Sequence, residues 1–498
     1  KIKFEFSHEV ILIYNRIKMS SSLINKATKG VFWSAIERFS VQGIQFVLSI
    51  IIARLLLPSD YGLIAMLSIF LAVAQSFIDS GFSNALIQKQ NRTEIDYSTV
   101  FYFNIGIGLF FYLVFYISSP YIALFYSEPQ LCLITKIVGL NVVINSFGVV
   151  QRAKFSIALN FRLQAVASLT AVILSGVLGV SLAYYGYGAW SLVMQSLLNN
   201  FFNVLLLWLL SKWYPLWCFS WNSFKSLFSF GSKLLVSGLL HTLYTNLYSL
   251  AIGKKMTSGD LGLYNRASTL AAFPAGNITD VMYKAMFPVL CTIQDSDEEL
   301  EVYFLRYIRS ACYVVFPLMI GLAVLADPFV KVVLTDRWSG IVPILQILSF
   351  AYMWDPVMRI NNHFLYAKGR TDYTLKAEVF KKIIAFSILL LTIPFGLYVI
   401  AWGVVIYSFI DIFVITRYTC IISNVTLTSE IKKLFPVLLL ALSMGACVWL
   451  STYFVISSVL KLLSGVLIGV VYYLVVSKIF KFEEMCFLQN MIVRLKNK

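Results

Sequence analysis

The chain has 498 residues, 59% of them hydrophobic and 13% charged, with 40 Lys and Arg against 24 Asp and Glu for a net charge of +16. Soluble globular proteins are about 45–50% apolar and about 25% charged, so a mean hydropathy of +0.79 excludes that class and describes an integral membrane protein. The ~10-residue alternation of a membrane β-barrel is absent, and the basic residues lie scattered between apolar runs rather than gathered into a nucleic-acid-binding face.

Apolar runs of about 20 residues cross a bilayer as helices, and about 14 can be drawn. Residues 1–29 read as a cytoplasmic N-terminal segment. Met19 is the expected natural start, with 1–18 an upstream extension, because Val10 to Tyr14 is too short for a signal-peptide core. Spans at Val31 to Leu56, Tyr61 to Phe77, Ser98 to Ser118, Leu131 to Val150, Leu163 to Tyr184 and Ala189 to Leu210 form an N-terminal lobe, 30–210. An interfacial cytoplasmic linker follows at 211–229, with Trp213, Tyr214, Trp217, Phe219 and Trp221 at headgroup depth. The C-terminal lobe, 230–420, takes the spans Phe230 to Ile252, Leu263 to Leu290, Phe304 to Ala326, Ile341 to Phe364, Tyr373 to Pro394 and Tyr398 to Tyr418. Two further helices, Ile431 to Thr452 and Val459 to Ile479, occupy 421–480, and a basic cytoplasmic tail, 481–498, is expected to rest on anionic lipid.

The two lobes repeat one another. Ile51-Ile-Ala-Arg-Leu-Leu-Leu-Pro-Ser-Asp-Tyr-Gly-Leu-Ile64 returns as Ala251-Ile-Gly-Lys-Lys-Met-Thr-Ser-Gly-Asp-Leu-Gly-Leu-Tyr264, matching Arg54 with Lys254, Asp60 with Asp260 and Gly62 with Gly262. Asp60 and Asp260 read as turn chemistry and the cations beside them as the residues of interest. With an even number of spans per copy, the repeats are parallel, which predicts an all-α membrane protein: two parallel six-helix repeats forming a V around a central cavity, plus two C-terminal helices. Most Lys and Arg fall in alternate connections, Lys89, Arg92, Arg152, Lys154, Lys368, Arg370, Lys376, Lys381 and Lys382 among them. The positive-inside bias puts both termini in the cytoplasm.

Catalytic signatures are missing. None of His8, His241 and His363 begins an HxxxxD, and no HExxH, GxSxG or Walker A sequence occurs. A non-enzyme without cofactor or metal is expected, with energy drawn from the substrate gradient or from a coupling ion, Na+ or H+. Asp295 and Asp297 form a DxD with no nucleotide-binding domain around it, so the acidic stretch Asp295 to Glu301 reads as a solvated loop. The seven cysteines have no ligand spacing, and the Gly465-to-Gly469 GxxxG reads as packing within the monomer.

Ionisable residues inside spans are costly and so mark function by default. Glu37, Asp280, Asp355 and Asp411 are the ion-coupling candidates. Asp280 with Lys284, and Asp355 with Arg359, are spaced for pairing on one helix; Asp411, like Asp79 near a helix end, has no such partner on its own. Arg38, Arg54, Lys254, Arg266, Lys284 and Arg359, with Arg152 and Lys154 near an inner entrance, are the candidates for a cationic lumen that would offset a pyrophosphate. Asn104, Asn141, Asn145, Asn199, Asn200, Asn246 and Gln195 could hydrogen-bond sugars or simply join helices.

Gly30-Val-Phe-Trp-Ser34, Ala53 to Gly62, Phe77-Ile-Asp-Ser-Gly-Phe82 with Ala85-Leu-Ile-Gln88, and Gly186-Tyr-Gly-Ala-Trp-Ser-Leu-Val193 resemble the Wzx-type polysaccharide flippases, the colanic and teichuronic acid exporter branch of the multidrug/oligosaccharidyl-lipid/polysaccharide superfamily. The resemblance implies alternating access and a substrate of oligosaccharide on undecaprenyl pyrophosphate, moved across the bacterial plasma membrane for surface polysaccharide synthesis. It implies as partners this lipid-linked oligosaccharide, membrane lipids, and polymerase or assembly proteins, with no nucleic acid. A cation-coupled drug exporter would instead predict a lumen dominated by carboxylates, and a membrane-embedded glycan polymerase or ligase a large external loop.

Overall fold

The computed structural model describes residues 40–79, 82–89, 91–158 and 160–485. The expectations placed on Met19, Glu37, Arg38 and the end of the basic tail lie outside them, as do the side chains of Asp79 and Lys284. Every regular element among the described residues is a helix. Ten spans among the described residues, Gln130–Ile157 and Ile341–Ala367 each counted as one, are long and apolar enough to cross a membrane. The chain divides into two compact units, Lys1–Leu250 and Ala251–Lys498.

In the first unit, the described part of α1 is Ser40–Leu55. There follow α2 Pro58–Asp79, α3 Phe82–Gln88, α4 Glu94–Tyr126, the three pieces α5 Gln130–Val138, α6 Leu140–Ser146 and α7 Val149–Ile157, then α8 Phe161–Tyr184, α9 Ala189–Ser211 and α10 Trp221–Lys255. In the second come α11 Ser258–Thr292, α12 Asp297–Val324, α13 Ala326–Val333, α14 Ile341–Tyr352, α15 Asp355–Ala367, α16 Thr371–Thr392, α17 Leu397–Ile422, α18 Leu427–Thr452 and α19 Ser458–Ile479.

The repeated segment is a helix stop followed by a capped start. Thr257 caps α11: its Oγ1 accepts from the Asp260 backbone N–H at 3.1 Å, while the Asp260 carboxylate accepts from the Thr257 N–H at 3.2 Å and hydroxyl at 2.7 Å. That reciprocal arrangement satisfies amides a helix start leaves bare. In the first copy Asp60 reaches back in the same way to the Leu57 N–H at 2.9 Å. The turn reading of both aspartates therefore holds.

Each unit gathers alternate connections at one end. In the first, Glu94 at the start of α4 accepts from Lys154 at 3.2 Å and from the Trp213 indole N–H at 2.6 Å, and Lys89 bonds Asp96 at 2.7 Å. These contacts join the connections before α4, after α7 and after α9. In the second, Lys368 donates to the Gln294 carbonyl at 2.6 Å and pairs with Asp297, Glu301 accepts from the Asn424 N–H at 2.6 Å, and Arg309 bonds Glu484 at 2.8 Å. The acidic stretch is exposed from Asp295 to Glu299, as expected, but two of its members, Asp297 and Glu301, also clasp neighbouring connections.

Two other expectations change and one holds. The linker is irregular only over 212–220, and its Trp213 is buried, packed on Tyr97 and Phe101. Leu216 N–H and Ser220 N–H bond Ser98 and Thr99 of α4, so part of the segment is fastened to protein, while Tyr214, Trp217 and Trp221 stay exposed. The spans drawn as continuous at Leu131 to Val150 and Ile341 to Phe364 are broken, at Gly139 and Phe147–Gly148 in one and at Met353–Trp354 in the other. Finally, Gly465 and Gly469 are buried within this chain: a Cβ on Gly465 would come 2.6 Å from Leu325 Cδ2, and one on Gly469 3.3 Å from Val448. Backbone approach of this kind is what small residues permit between membrane helices.

Candidate functional site

Counted by the sequence repeat, in which α10 opens the second copy, the broken helices are the fourth span of each copy. Interrupted helices at matching positions of a repeat are where transporters place their sites, because a break bares polar backbone and half-helix ends. The break between α14 and α15 follows from Asp355-Pro356: proline suits the first turn of a helix and cannot continue one. The last piece of each carries an arginine near its start, Arg152 on α7 and Arg359 on α15.

Arg359 is the centre of the polar face in the second unit. Its Nε donates to Asp355 Oδ1 at 3.0 Å one turn back, and its NH1 to Asp280 Oδ1 on α11 at 3.0 Å. Asp280 is thus bonded across helices, as a guanidinium that holds two carboxylates in one plane allows, while the expected pairing of Asp280 with Lys284 lies outside the described side chains. Gly276, one turn before Asp280, leaves room: its Cβ position lies 3.6 Å from Arg359 NH2. Arg359 is 44% exposed and Asp280 37%, whereas Asp355 is mostly covered. One turn beyond, His363 stacks on Tyr283 at 4.0 Å between centroids and meets Tyr307 Oη at 3.4 Å. The face offers an accessible guanidinium held in orientation by two acids, beside aromatic surface. Such a group can turn from its acids to an incoming phosphate oxygen.

In the first unit Arg152 donates to the Asn145 carbonyl at 3.2 Å, across the α6–α7 break. Lys154 pairs with Glu94 and lies over the Tyr97 ring at 4.5 Å and the Trp213 ring at 5.1 Å, an interaction of a cation with ring quadrupoles. Arg54 and Lys254 sit exposed at the ends of α1 and α10, and Arg266 is buried on α11.

Asp411 has a partner that sequence reasoning placed elsewhere. Lys381, counted with the cations of an inner connection, is only 2% exposed on α16 and donates to Asp411 Oδ1 at 3.0 Å; Glu378 holds the same ammonium at 2.6 Å. An ammonium here neutralises the carboxylate that had been the foremost candidate for a coupling ion. The Asn residues work mainly between or along helices: Asn200 to Asn141 at 2.7 Å, Asn141 to Ser196 at 3.3 Å, Asn145 to Gln75 at 3.1 Å, and Asn104 and Asn246 to carbonyls of their own helices.

Long apolar helices, interruptions at matching places and charges gathered at those interruptions define a membrane transporter. The chain belongs to the polysaccharide biosynthesis protein family, whose model matches residues 51–343. It is similar to the lipopolysaccharide biosynthesis protein WzxC of Escherichia coli K12, 27% identical over 366 residues that cover 72% of this chain and 74% of that one. It is also similar to the teichuronic acid biosynthesis protein TuaB of Bacillus subtilis 168, 26% identical over 461 residues, 91% of this chain and 95% of the relative. Among solved structures, the lipid II flippase MurJ in an inward closed conformation matches with a TM-score of 0.75 at 14% identity, over 90% of this chain and 98% of that one. At such identity the likeness is one of fold. The Wzx-type resemblance carried by the first-lobe motifs stands.

Proposed function

We propose that the protein is a flippase that carries oligosaccharide units linked to undecaprenyl pyrophosphate from the inner to the outer leaflet of the bacterial plasma membrane, for assembly of a surface polysaccharide. The full architecture in this reading is 14 transmembrane helices, two parallel six-helix repeats forming a V around a central cavity, plus two C-terminal helices, with both termini cytoplasmic. The three long helices α10, α11 and α16, which are not among the ten most apolar spans, join α1 in completing that number. Alternating access would move the substrate, driven by its own gradient or by Na+ or H+, and polymerase or assembly proteins would take up the product. Arg152, Lys154 and Arg359, with Arg38, Arg54, Lys254, Arg266 and Lys284, are the basic residues assigned to the substrate anion.

One observation carries the reading for this chain's own residues: the half-exposed Arg359, held by Asp280 and Asp355 at a helix interruption in otherwise apolar sequence. Membership of a polysaccharide biosynthesis family and relatives in lipopolysaccharide and teichuronic acid synthesis support the choice of substrate class. The test is deletion in the host followed by complementation. Loss of surface polysaccharide with lipid-linked oligosaccharide retained in the inner leaflet is expected. Arg359→Lys should restore less than about a tenth of the wild-type display, because an ammonium keeps the charge and loses the two-armed geometry. Unchanged polysaccharide in the deletion strain, with drug accumulation altered instead, would overturn the proposal in favour of a drug exporter.

A further inference from the structure

The second unit holds a buried carboxyl that the arginine face does not use. Glu430, in the first turn of α18, is 1% exposed. Its Oε2 accepts from Asn361 Nδ2 of α15 at 3.3 Å and from Thr416 Oγ1 of α17 at 3.4 Å, and Asn361 Oδ1 in turn accepts from Thr419 Oγ1 at 2.7 Å. Glu430 Oε1 is buried and has no hydrogen-bond partner among the described residues. No Lys or Arg pairs with Glu430 among the described residues. From α12 and α17 the thiols of Cys312 and Cys420 lie within electrostatic reach of it. The remaining charges of α12, α15, α17 and α18 are elsewhere: Arg306, Arg417, Lys432, Lys433, Glu298 and Glu299 are exposed, Arg309 is bound to Glu484, Glu301 to the Asn424 N–H, Asp297 to Lys368, Asp355 to Arg359, Asp411 to Lys381, and His363 meets Tyr307.

A carboxylate in low dielectric without a countercharge is strongly disfavoured, and a group so placed takes up a proton instead. Two side-chain donors and the positive N-terminal end of α18 act the other way, favouring the charged form. These opposed effects keep the group from being permanently charged or permanently neutral. We propose that Glu430 is a proton-binding site: it takes a proton from water on Oε1, the oxygen without a partner, and returns it to water. With the proton bound, α15, α17 and α18 stay closed around a neutral cluster; when it leaves, the bare charge draws water in and loosens them. The cluster lies just inside the end of the unit where Asn424 meets Glu301 and Lys368 meets Asp297, which gives it a short route to the aqueous phase. The coupling of this step to transport rests on the flippase reading, but the proton site itself does not.

The full-length protein in liposomes tests both parts. Infrared spectra titrated from about pH 5 to about pH 9 should show the carbonyl stretch of a protonated carboxylic acid that fades as pH rises and that is missing from E430Q. The glutamine keeps the oxygen that Asn361 and Thr416 donate to, so the fold is retained. A second readout needs no variant: a hydrophobic carbodiimide adds to protonated carboxyls alone, so peptide mass spectrometry should find Glu430 of the wild type modified at acid pH and spared at alkaline pH. Superimposable wild-type and E430Q spectra, or no modification of Glu430 at any pH, would overturn the proton site. For coupling, the probe is an undecaprenyl pyrophosphate-linked disaccharide. A pH gradient should accelerate its flipping on the order of 5-fold or more in the wild type and leave E430Q at the ungraded rate. Wild-type flipping indifferent to the gradient overturns the coupling. Absence of any flipping while Glu430 still titrates counts against the flippase reading and leaves the proton site standing.

Discussion

Lys381 and Asp411 illustrate what a single residue can hide. In the sequence Lys381 stands beside Lys382, three residues after Glu378, and has the look of a charged connection; only the packing of α16 on α17 reveals that its ammonium is buried against Asp411. Asp411 itself was legible, because a carboxylate in a strongly apolar run has few explanations, but its partner lies 30 residues away and no helical spacing points to it. The same holds for Arg359, whose i, i+4 bond to Asp355 follows from spacing while its bond to Asp280 does not. Glu430 was overlooked since a glutamate at a helix start reads as an ordinary first-turn acid. Removing one member of a buried pair leaves the other charge bare and costs about 3–5 kcal/mol, whereas apolar replacement of both is often neutral. Lys381→Met alone should therefore lower the melting temperature of the detergent-solubilised protein markedly, and the double variant Lys381→Met/Asp411→Leu should recover most of the loss. A double variant as unstable as the single one would show that the pair is not what holds α16 to α17.

At the scale of the element, the presence and order of the long apolar helices are readable because a bilayer requires long uninterrupted apolarity, while helix breaks are not, because they need only local backbone change. Gly139 and Gly148 are weak signals in apolar sequence; Asp355-Pro356 was the stronger one and marked the start of α15. The α19 helix shows the opposite case, a motif whose meaning was correct from sequence. Gly465 and Gly469 lie against α13, α18 and the Leu325 side chain that precedes α13. Gly465→Ala places its methyl against the flexible tip of Leu325, which can rotate, so a small loss of stability is expected. Gly465→Val has no comparable relief and also meets Thr452, closest at 3.3 Å to the Cβ position; it should separate α19 from its neighbours. Cysteines introduced at Val448 and Gly469 report this: cross-linking should proceed in the parent and in Gly465→Ala, and fall several-fold with Gly465→Val. Equal cross-linking in all three would mean that α19 does not depend on this contact.

For the molecule as a whole, the charge pattern predicts one orientation in the membrane. Basic side chains are concentrated in alternate connections, and the contacts of Glu94 with Lys154 and Trp213, and of Lys368 with Asp297 and Gln294, place such connections together at one end of each unit. The opposite connections are poorer in Lys and Arg, such as Tyr185–Gly188 and Tyr453–Ser457. Since positive charge is retained on the cytoplasmic side, we propose that the clasped ends face inward; the acidic stretch at Asp297 does not reverse this because acidic residues carry little weight in that rule. Single cysteines in a background freed of the reactive native ones turn this into a measurement. Cysteines at Tyr185 and Ser457, both exposed, should react with a membrane-impermeant maleimide on intact cells. Those at Asn91 and Glu298, also exposed, should react only after the membrane is opened. Because each unit contributes one position of each kind, the four results test the units independently: labelling reversed in both would invert the whole molecule, and labelling reversed in one alone would show that the repeats are antiparallel, removing the basis for assigning Arg152 and Arg359 to equivalent places on a substrate path.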